Sequence, residues 1–155
     1  MDMKKIGDRI AEFTLVDQNG QPQSLAGLCS GLTLLYFYPK AMTPGCTAQA
    51  CSLRDARAEL DQRGLKVVGI SCDAPPRLKR FQEKENLNFT LLSDPDHTLC
   101  SFFGVWGPKK LAGREYEGVH RTSFLVQDGI VKAVFPKVKP KNHLDEIVKY
   151  LDSLK

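Results

Sequence analysis

The stretch Tyr38-Pro39-Lys40-Ala41-Met42-Thr43-Pro44-Gly45-Cys46-Thr47-Ala48-Gln49-Ala50-Cys51 holds the residues with the most chemistry to offer. Cys46 comes just after a β-favouring run that Pro39 stops, and just before a run of helix formers. Its sulfur is therefore expected in the first turn of a helix, where unpaired backbone N–H groups and the helix dipole favour an anion. Such a position, above all beside a cation, brings a cysteine pKa from about 8.5 into the range of about 3.5–7.5, and the thiolate is the nucleophile. A free cysteine is also commonly a small buried residue with no chemistry. The convergence of Pro39, Thr43, Pro44 and Gly45 on one turn favours the reactive alternative.

The chain has five cysteines, Cys29, Cys46, Cys51, Cys72 and Cys100. An odd number at irregular spacing is not a disulfide framework, which leaves inert core residues, metal ligands or redox thiols. Cys29 precedes the first core strand, Cys72 ends the second, and Cys100 falls in a predicted helix beside Phe102 and Phe103. These three are expected to be packing residues, with Cys100 the spare thiol to watch. His97, His120 and His143 are far apart, and Cys46 with Cys51 lacks the close-pair spacing of structural zinc sites, so no metal is assigned. Nucleotide and heme motifs are absent too, so no cofactor is expected and reducing power must come from an external thiol couple.

Positioning Cys46 requires a strand before it and a helix after it, and the surrounding sequence supplies both. Thr33 to Tyr38 is a continuous β run typical of a strand buried on both faces. Thr47 to about Arg63 is rich in Ala, Leu, Gln, Arg and Glu and ends at Gly64, as a helix does. Leu65 to Ser71 is a second buried strand, completing a βαβ unit with parallel strands. A helix follows from Asp73 through about Glu85, opened by Pro75 and Pro76, then a short strand at Thr90 to Leu92 and a helix opened by Asp94-Pro95-Asp96. Residues Gly104 to His120 show no clear period and read as a long loop. Asp128-Gly129 joins Thr122–Val126 to Ile130–Phe135 in a hairpin, and Asn19-Gly20 marks another between Phe13–Val16 and Gln23–Leu25. Leu144, Ile147, Val148, Leu151 and Leu154 recur at helical spacing behind Asn142, giving an amphipathic C-terminal helix. The expected class is α/β: one thioredoxin-like domain over residues 1–155, a mixed central sheet flanked by helices, with an N-terminal β-hairpin extension.

Composition excludes several classes. The chain has 155 residues, 42% hydrophobic and 26% charged, which is neither disordered nor fibrous. Its longest apolar run, Leu32 to Tyr38, is far short of the roughly 20 residues of a membrane helix. A net charge of +4 from dispersed lysines and arginines suits a solvated surface rather than nucleic acid or a membrane. Met1-Asp2-Met3-Lys4-Lys5 leads into Gly7-Asp8-Arg9 with no apolar leader, so a cytoplasmic address is expected.

These residues resemble the peroxiredoxins, and within them the bacterioferritin comigratory protein or PrxQ group. The family pattern is a proline, three residues, a threonine or serine, two residues and the peroxidatic cysteine; Pro39, Thr43 and Cys46 stand at that spacing. The similarity continues through Gly69-Ile70-Ser71, Leu91-Leu92-Ser93-Asp94, Phe103-Gly104-Val105-Trp106-Gly107 and His120-Arg121-Thr122-Ser123-Phe124. It implies that Cys46 attacks the terminal oxygen of hydrogen peroxide or a small organic hydroperoxide and becomes a sulfenic acid. Thr43, backbone N–H groups and the Arg121 guanidinium would stabilise the charge on the departing oxygen. Pro39 would shape and shield the pocket.

The same resemblance gives Cys51 the resolving role and a thioredoxin-type protein the role of reductant. In an intact helix, Cα atoms five residues apart are about 8.6 Å apart, beyond the roughly 7 Å that a disulfide tolerates. If Cys51 resolves, the helix must unwind. Otherwise Cys51 is a packing residue and another thiol resolves. The chain ends at a helix without a partner-reaching cysteine, so a monomer is expected. A disulfide reductase is disfavoured because that chemistry uses C-x-x-C at this turn. A non-enzymatic alternative is a redox-switched interaction or holdase module, in which oxidation uncovers apolar surface such as Val105 and Trp106.

Overall fold

The computed structural model describes residues 3–154; Met1 and Asp2, part of the segment expected to hold no leader, and Lys155 lie outside that range. Strand β3 (Leu32–Phe37) pairs in parallel with β4 (Leu65–Ser71), which pairs in parallel with β5 (Thr90–Ser93). On the other edge of β3 runs antiparallel β8 (Thr122–Gln127), followed by β9 (Ile130–Phe135). The N-terminal hairpin of β1 (Thr14–Asp17) and β2 (Pro22–Ser24) joins through β5, giving the order β2-β1-β5-β4-β3-β8-β9. The mixed sheet and the hairpin extension match the sequence expectation. Asp128 and Gly129 both take positive φ, as the two-residue turn between β8 and β9 demands.

The sheet separates two apolar layers, which explains why its central strands read as unbroken hydrophobic runs. Along β3, Leu34 and Tyr36 face one layer while Leu35 and Phe37 face the other. The first layer takes α2 (Pro44–Asp55), α3 (Arg57–Gln62), α4 (Pro75–Glu85) and α6 (His143–Ser153), through Ala50, Leu53, Leu60, Phe81 and Ile147. The second takes α1 (Leu25–Leu28) and α5 (Thr98–Phe103), through Leu25, Leu99 and Phe103. Thr33, a polar residue buried in β3, gives its hydroxyl proton to the Leu28 carbonyl at 2.8 Å. Among the described residues, no helix is long and apolar enough to cross a membrane.

Three elements differ from the sequence expectation. Leu25, expected to end the hairpin's second strand, instead begins α1, which Ser24 caps. The single helix expected from Thr47 to Arg63 begins earlier, at Pro44, and is interrupted at Ala56. The interruption is held from α4's C-terminal side: Asn88 Nδ2 donates to the Arg54 carbonyl at 3.2 Å, and the Arg54 and Arg57 guanidiniums donate to the Glu85 and Asn88 carbonyls. The segment Gly104 to His120 is no loop. It forms the antiparallel pair β6 (Trp106–Leu111) and β7 (Arg114–Val119), closed by Ala112-Gly113, both at positive φ. Both strands are largely exposed, so no apolar alternation marks them, and alanine is an unusual first residue for such a turn.

The first layer depends on one close approach. A Cβ on Gly69 of β4 would lie 2.9 Å from Cζ and Oη of Tyr36 and 3.0 Å from Cδ2 of Leu91. The Tyr36 ring, fully buried, lies across that glycine. Gly69→Ala is expected to lower stability by about 1–3 kcal/mol through overpacking, read from urea unfolding; an unchanged midpoint would mean that the Tyr36 ring has room to retreat.

Candidate active site

The turn carrying Cys46 is fixed from both ends. Pro39 closes the β3 ladder after Tyr38 donates to the Ile70 carbonyl, since proline has no N–H to continue it. Ala41 is then clamped through both backbone groups: its N–H donates to Asp73 Oδ2 at 2.8 Å, and its carbonyl accepts from Arg77 Nη2 at 2.8 Å. Asp73 also pairs with Arg77 Nε at 3.1 Å and accepts from Ser71 Oγ. Asp73, expected to open α4, thus serves the turn instead, and Ala74 is the cap.

Thr43 caps α2, and Pro44 occupies its first helical position, where a missing N–H costs nothing. The Thr43 hydroxyl donates to the Lys40 carbonyl at 2.8 Å, and its own carbonyl accepts from Thr47 N–H at 2.8 Å. Cys46 is therefore the third helical residue, in the first turn, whose amides have no partner within the helix. Its side chain is buried, with 1% of its surface exposed. Arg121, immediately before β8, donates from Nη2 to Cys46 Sγ at 3.3 Å. Gly45 leaves space for this contact, since a Cβ there would stand 3.3 Å from that nitrogen.

The guanidinium is itself held by a chain of side chains that no local motif discloses. Arg121 Nη1 donates to Gln49 Oε1 at 2.6 Å, and Gln49 Nε2 lies 3.1 Å from His143 Nδ1. Because an arginine can only donate, Gln49 presents its oxygen to Arg121 and its NH₂ group to His143. Nδ1 of His143 is then the acceptor, and the ring proton sits on Nε2, which donates to Ser123 Oγ at 2.7 Å. Burial, and next the nearby Arg121 charge, push the His143 pKa down to about 3, so the imidazole is neutral, as this tautomer requires. Lys109 of β6 supplies a second cation nearby, its ammonium pushed below the usual lysine value by burial and then by Arg121. Its Nζ donates to the Val119 carbonyl at 2.8 Å.

Cys51 lies further along α2 and is half-buried. Its thiol donates to Glu85 Oε1 of α4 at 3.6 Å. Burial first, and then this hydrogen bond, push its pKa up, opposed by the Arg54 charge. All five cysteines are free thiols. Burial pushes Cys29 up to about 12, which disfavours its thiolate. Of the residues singled out in the sequence, Arg121 and Cys46 meet directly, Thr43 and Pro39 shape the turn, and Cys51 is held away on the helix. Val105 and Trp106 lie in the second layer, across the sheet from α2, so opening that helix does not uncover them. Gln49, His143 and Lys109 were not foreseen; a polar residue three places after Cys46 on the buried helix face was the available signal for Gln49.

Residues 6–134 match the model of the AhpC/TSA family. The chain is 52% identical over 155 residues to a bcp peroxiredoxin of Haemophilus influenzae, covering 99% of this chain and all of that one. It is 51% identical over 152 residues to peroxiredoxin Bcp of Escherichia coli K12, covering 97% of each. Among solved structures it is similar to the Xanthomonas campestris bacterioferritin comigratory protein, described for its alkyl peroxide reduction activity. There the identity is 30%, the TM-score 0.85, and the coverage 94% of this chain and 98% of that one.

The neutral His143 has a thermodynamic consequence. Its pKa falls from 6.5 to about 3 on folding, so the unfolded chain binds a proton that the folded one refuses. The stability it contributes is present above pH 6.5 and is lost as pH falls from there toward about 3, with a slope approaching about 1.4 kcal/mol per pH unit. His143→Asn is expected to be less stable at neutral pH and to lack this component of the acid slope in urea unfolding at a series of pH values. Parallel curves for the two proteins would contradict the assignment.

Proposed function

The chain belongs to the AhpC/TSA family, as a thiol peroxidase of the peroxiredoxin Bcp or PrxQ group, and on that premise we propose that Cys46 is its peroxidatic residue and Cys51 its resolving one. The observation that carries this reading is the Arg121 guanidinium 3.3 Å from Cys46 Sγ, at the start of α2. Attack by the Cys46 thiolate on the terminal oxygen of a peroxide breaks the O–O bond and leaves a sulfenic acid. The departing oxygen takes a proton and leaves as water or an alcohol. Negative charge builds on that oxygen, and Arg121 with the first amides of α2 stands ready to receive it without rearrangement. The substrates are hydrogen peroxide and small organic hydroperoxides, in keeping with the deep burial of Cys46 and with the alkyl peroxide activity named for the Xanthomonas relative.

Resolution follows when the Cys51 thiolate attacks the Cys46 sulfenic sulfur and releases water, forming an intramolecular disulfide. The folded helix opposes this step twice: five-residue spacing holds the sulfurs apart, and burial, with the Glu85 hydrogen bond, pushes the Cys51 pKa up and disfavours its thiolate. Unwinding the first turns of α2 removes both obstacles together. A thioredoxin-type dithiol then reduces the disulfide. Both cysteines belong to one chain, so a monomer of a single domain, acting in the cytoplasm, suffices for the cycle.

The test is peroxide consumption coupled to a thioredoxin system. Cys46→Ser is expected to abolish turnover, and Arg121→Met to lower kcat/KM by about 10²–10³-fold, the usual loss for removing one preorganised donor. Cys51→Ser is expected to stall after a single oxidation of Cys46, trapped there as a sulfenic acid. Oxidation-dependent partner binding without turnover in the unmodified protein would favour the interaction module instead.

A further inference from the structure

Two more thiols meet away from the Cys46 site. Cys72 directly follows β4, and the alternation that sends Val68 and Ile70 into the second layer sends Cys72 there too. Cys100, the third residue of α5, is fully buried in the same layer. The two sulfurs and a carboxylate oxygen of Asp94 all lie within 4.8 Å of one another. Cys46 belongs to the layer on the opposite face of the sheet, so this pair is separated from it by the sheet itself.

Asp94 is better explained as a helix-capping group than as a metal ligand, because its carboxylate already accepts three hydrogen bonds from α5. Oδ1 accepts from Thr98 Oγ1 at 3.1 Å and Leu99 N–H at 3.2 Å, and Oδ2 accepts from Cys100 N–H at 2.8 Å. The carboxylate thus caps α5 and fixes the turn on which Cys100 rides. Two thiols remain, one buried and one half-buried, brought together by elements that are already adjacent. Unlike Cys46 and Cys51, they are not spaced along one helix, and their sulfurs already lie within 4.8 Å of one another, so no helix has to unwind to start their approach.

We propose that Cys72 and Cys100 are a second redox-active dithiol, which peroxide converts to an intramolecular disulfide. Cys72 is the half-exposed member and reacts first. Its thiolate attacks a peroxide oxygen, the O–O bond breaks, sulfur is oxidised by two electrons to a sulfenic acid, and water or alcohol leaves with a proton. The Cys100 sulfur then gives up its proton, attacks the Cys72 sulfur and displaces water. The sum is two thiols and one peroxide giving one disulfide, one water and one further water or alcohol. Exposure supports this order: Cys72 is half-buried and within reach of a small peroxide, whereas Cys100 is fully buried behind it. The disulfide would close a loop carrying α4, the helix whose Glu85 holds Cys51.

The test uses the Cys46→Ser, Cys51→Ser double variant, so that its outcome is independent of the roles proposed for those residues. The reduced variant is treated with excess hydrogen peroxide, its remaining thiols are alkylated, and it is mapped by non-reducing peptide mass spectrometry. The expected result is a Cys72–Cys100 cross-linked peptide pair within one chain, a loss of two thiols per chain, and an alkylated Cys29. Adding Cys100→Ser should remove the cross-link and leave a dimedone-reactive sulfenic acid on Cys72. The proposal is overturned if Cys72 and Cys100 both remain alkylated, if Cys72 proceeds to a sulfinic acid without linking, or if the cross-link forms only between chains.

Discussion

A regular helix cannot bring residues five apart within disulfide reach, and α2 holds Cys46 and Cys51 at that spacing. The helical state places Cys46 in the first turn of α2 and against Arg121, which is the arrangement suited to breaking an O–O bond. It also keeps Cys51 away and bonded to Glu85. A cycle using both residues needs two conformations of one short segment, each unsuited to the other's step. The structure around α2 follows from this demand. Its beginning is held firmly by the Asp73 and Arg77 clamp on Ala41, while its far end stops after about three turns at Ala56, where α4's C-terminal side takes over the Arg54 carbonyl. An opening of the first turns can therefore be confined between two anchored ends.

The guanidinium that defines the reduced site is held by side chains from three elements. Its support runs from Gln49 on α2 to His143 on α6 and on to Ser123 in β8. Gln49 belongs to the segment that would unwind, whereas His143 and Ser123 do not. Opening α2 beyond its first turn thus disconnects Arg121 from its support as it takes Cys46 away, and refolding restores both contacts together. The sheet meanwhile keeps two thiol pairs apart, one on each face, so that each is governed by its own local geometry.

Much of this arrangement could be read from the chain. Pro39, Thr43 and Cys46 form a local motif, the runs of β3 and β4 are continuous because both faces of the sheet are covered, and Asp128-Gly129 carries the turn chemistry that its φ values need. Arg121 was legible through family resemblance rather than through any property of its own stretch. His143 was not, because a lone histidine at the start of an amphipathic helix gives no sign of a glutamine 94 positions earlier. The break at Ala56 depends on Asn88, and the β6–β7 hairpin lacks both an apolar face and a typical turn residue. Cys72 and Cys100 looked like separate packing residues because only strand parity and the placement of α5 bring them together.

A cycle through Cys46 and Cys51 depends on the opening of α2, and amide hydrogen exchange read by mass spectrometry addresses that opening directly. Fully reduced protein should protect the amides of the Cys46–Cys51 segment, as a packed helix does. After one equivalent of peroxide, once the Cys46–Cys51 disulfide has formed, that protection should be lost there while β3 and β8 keep theirs. Protection of this segment that persists in the disulfide form would contradict the account, because the bond would then have formed without the unwinding that helix geometry requires.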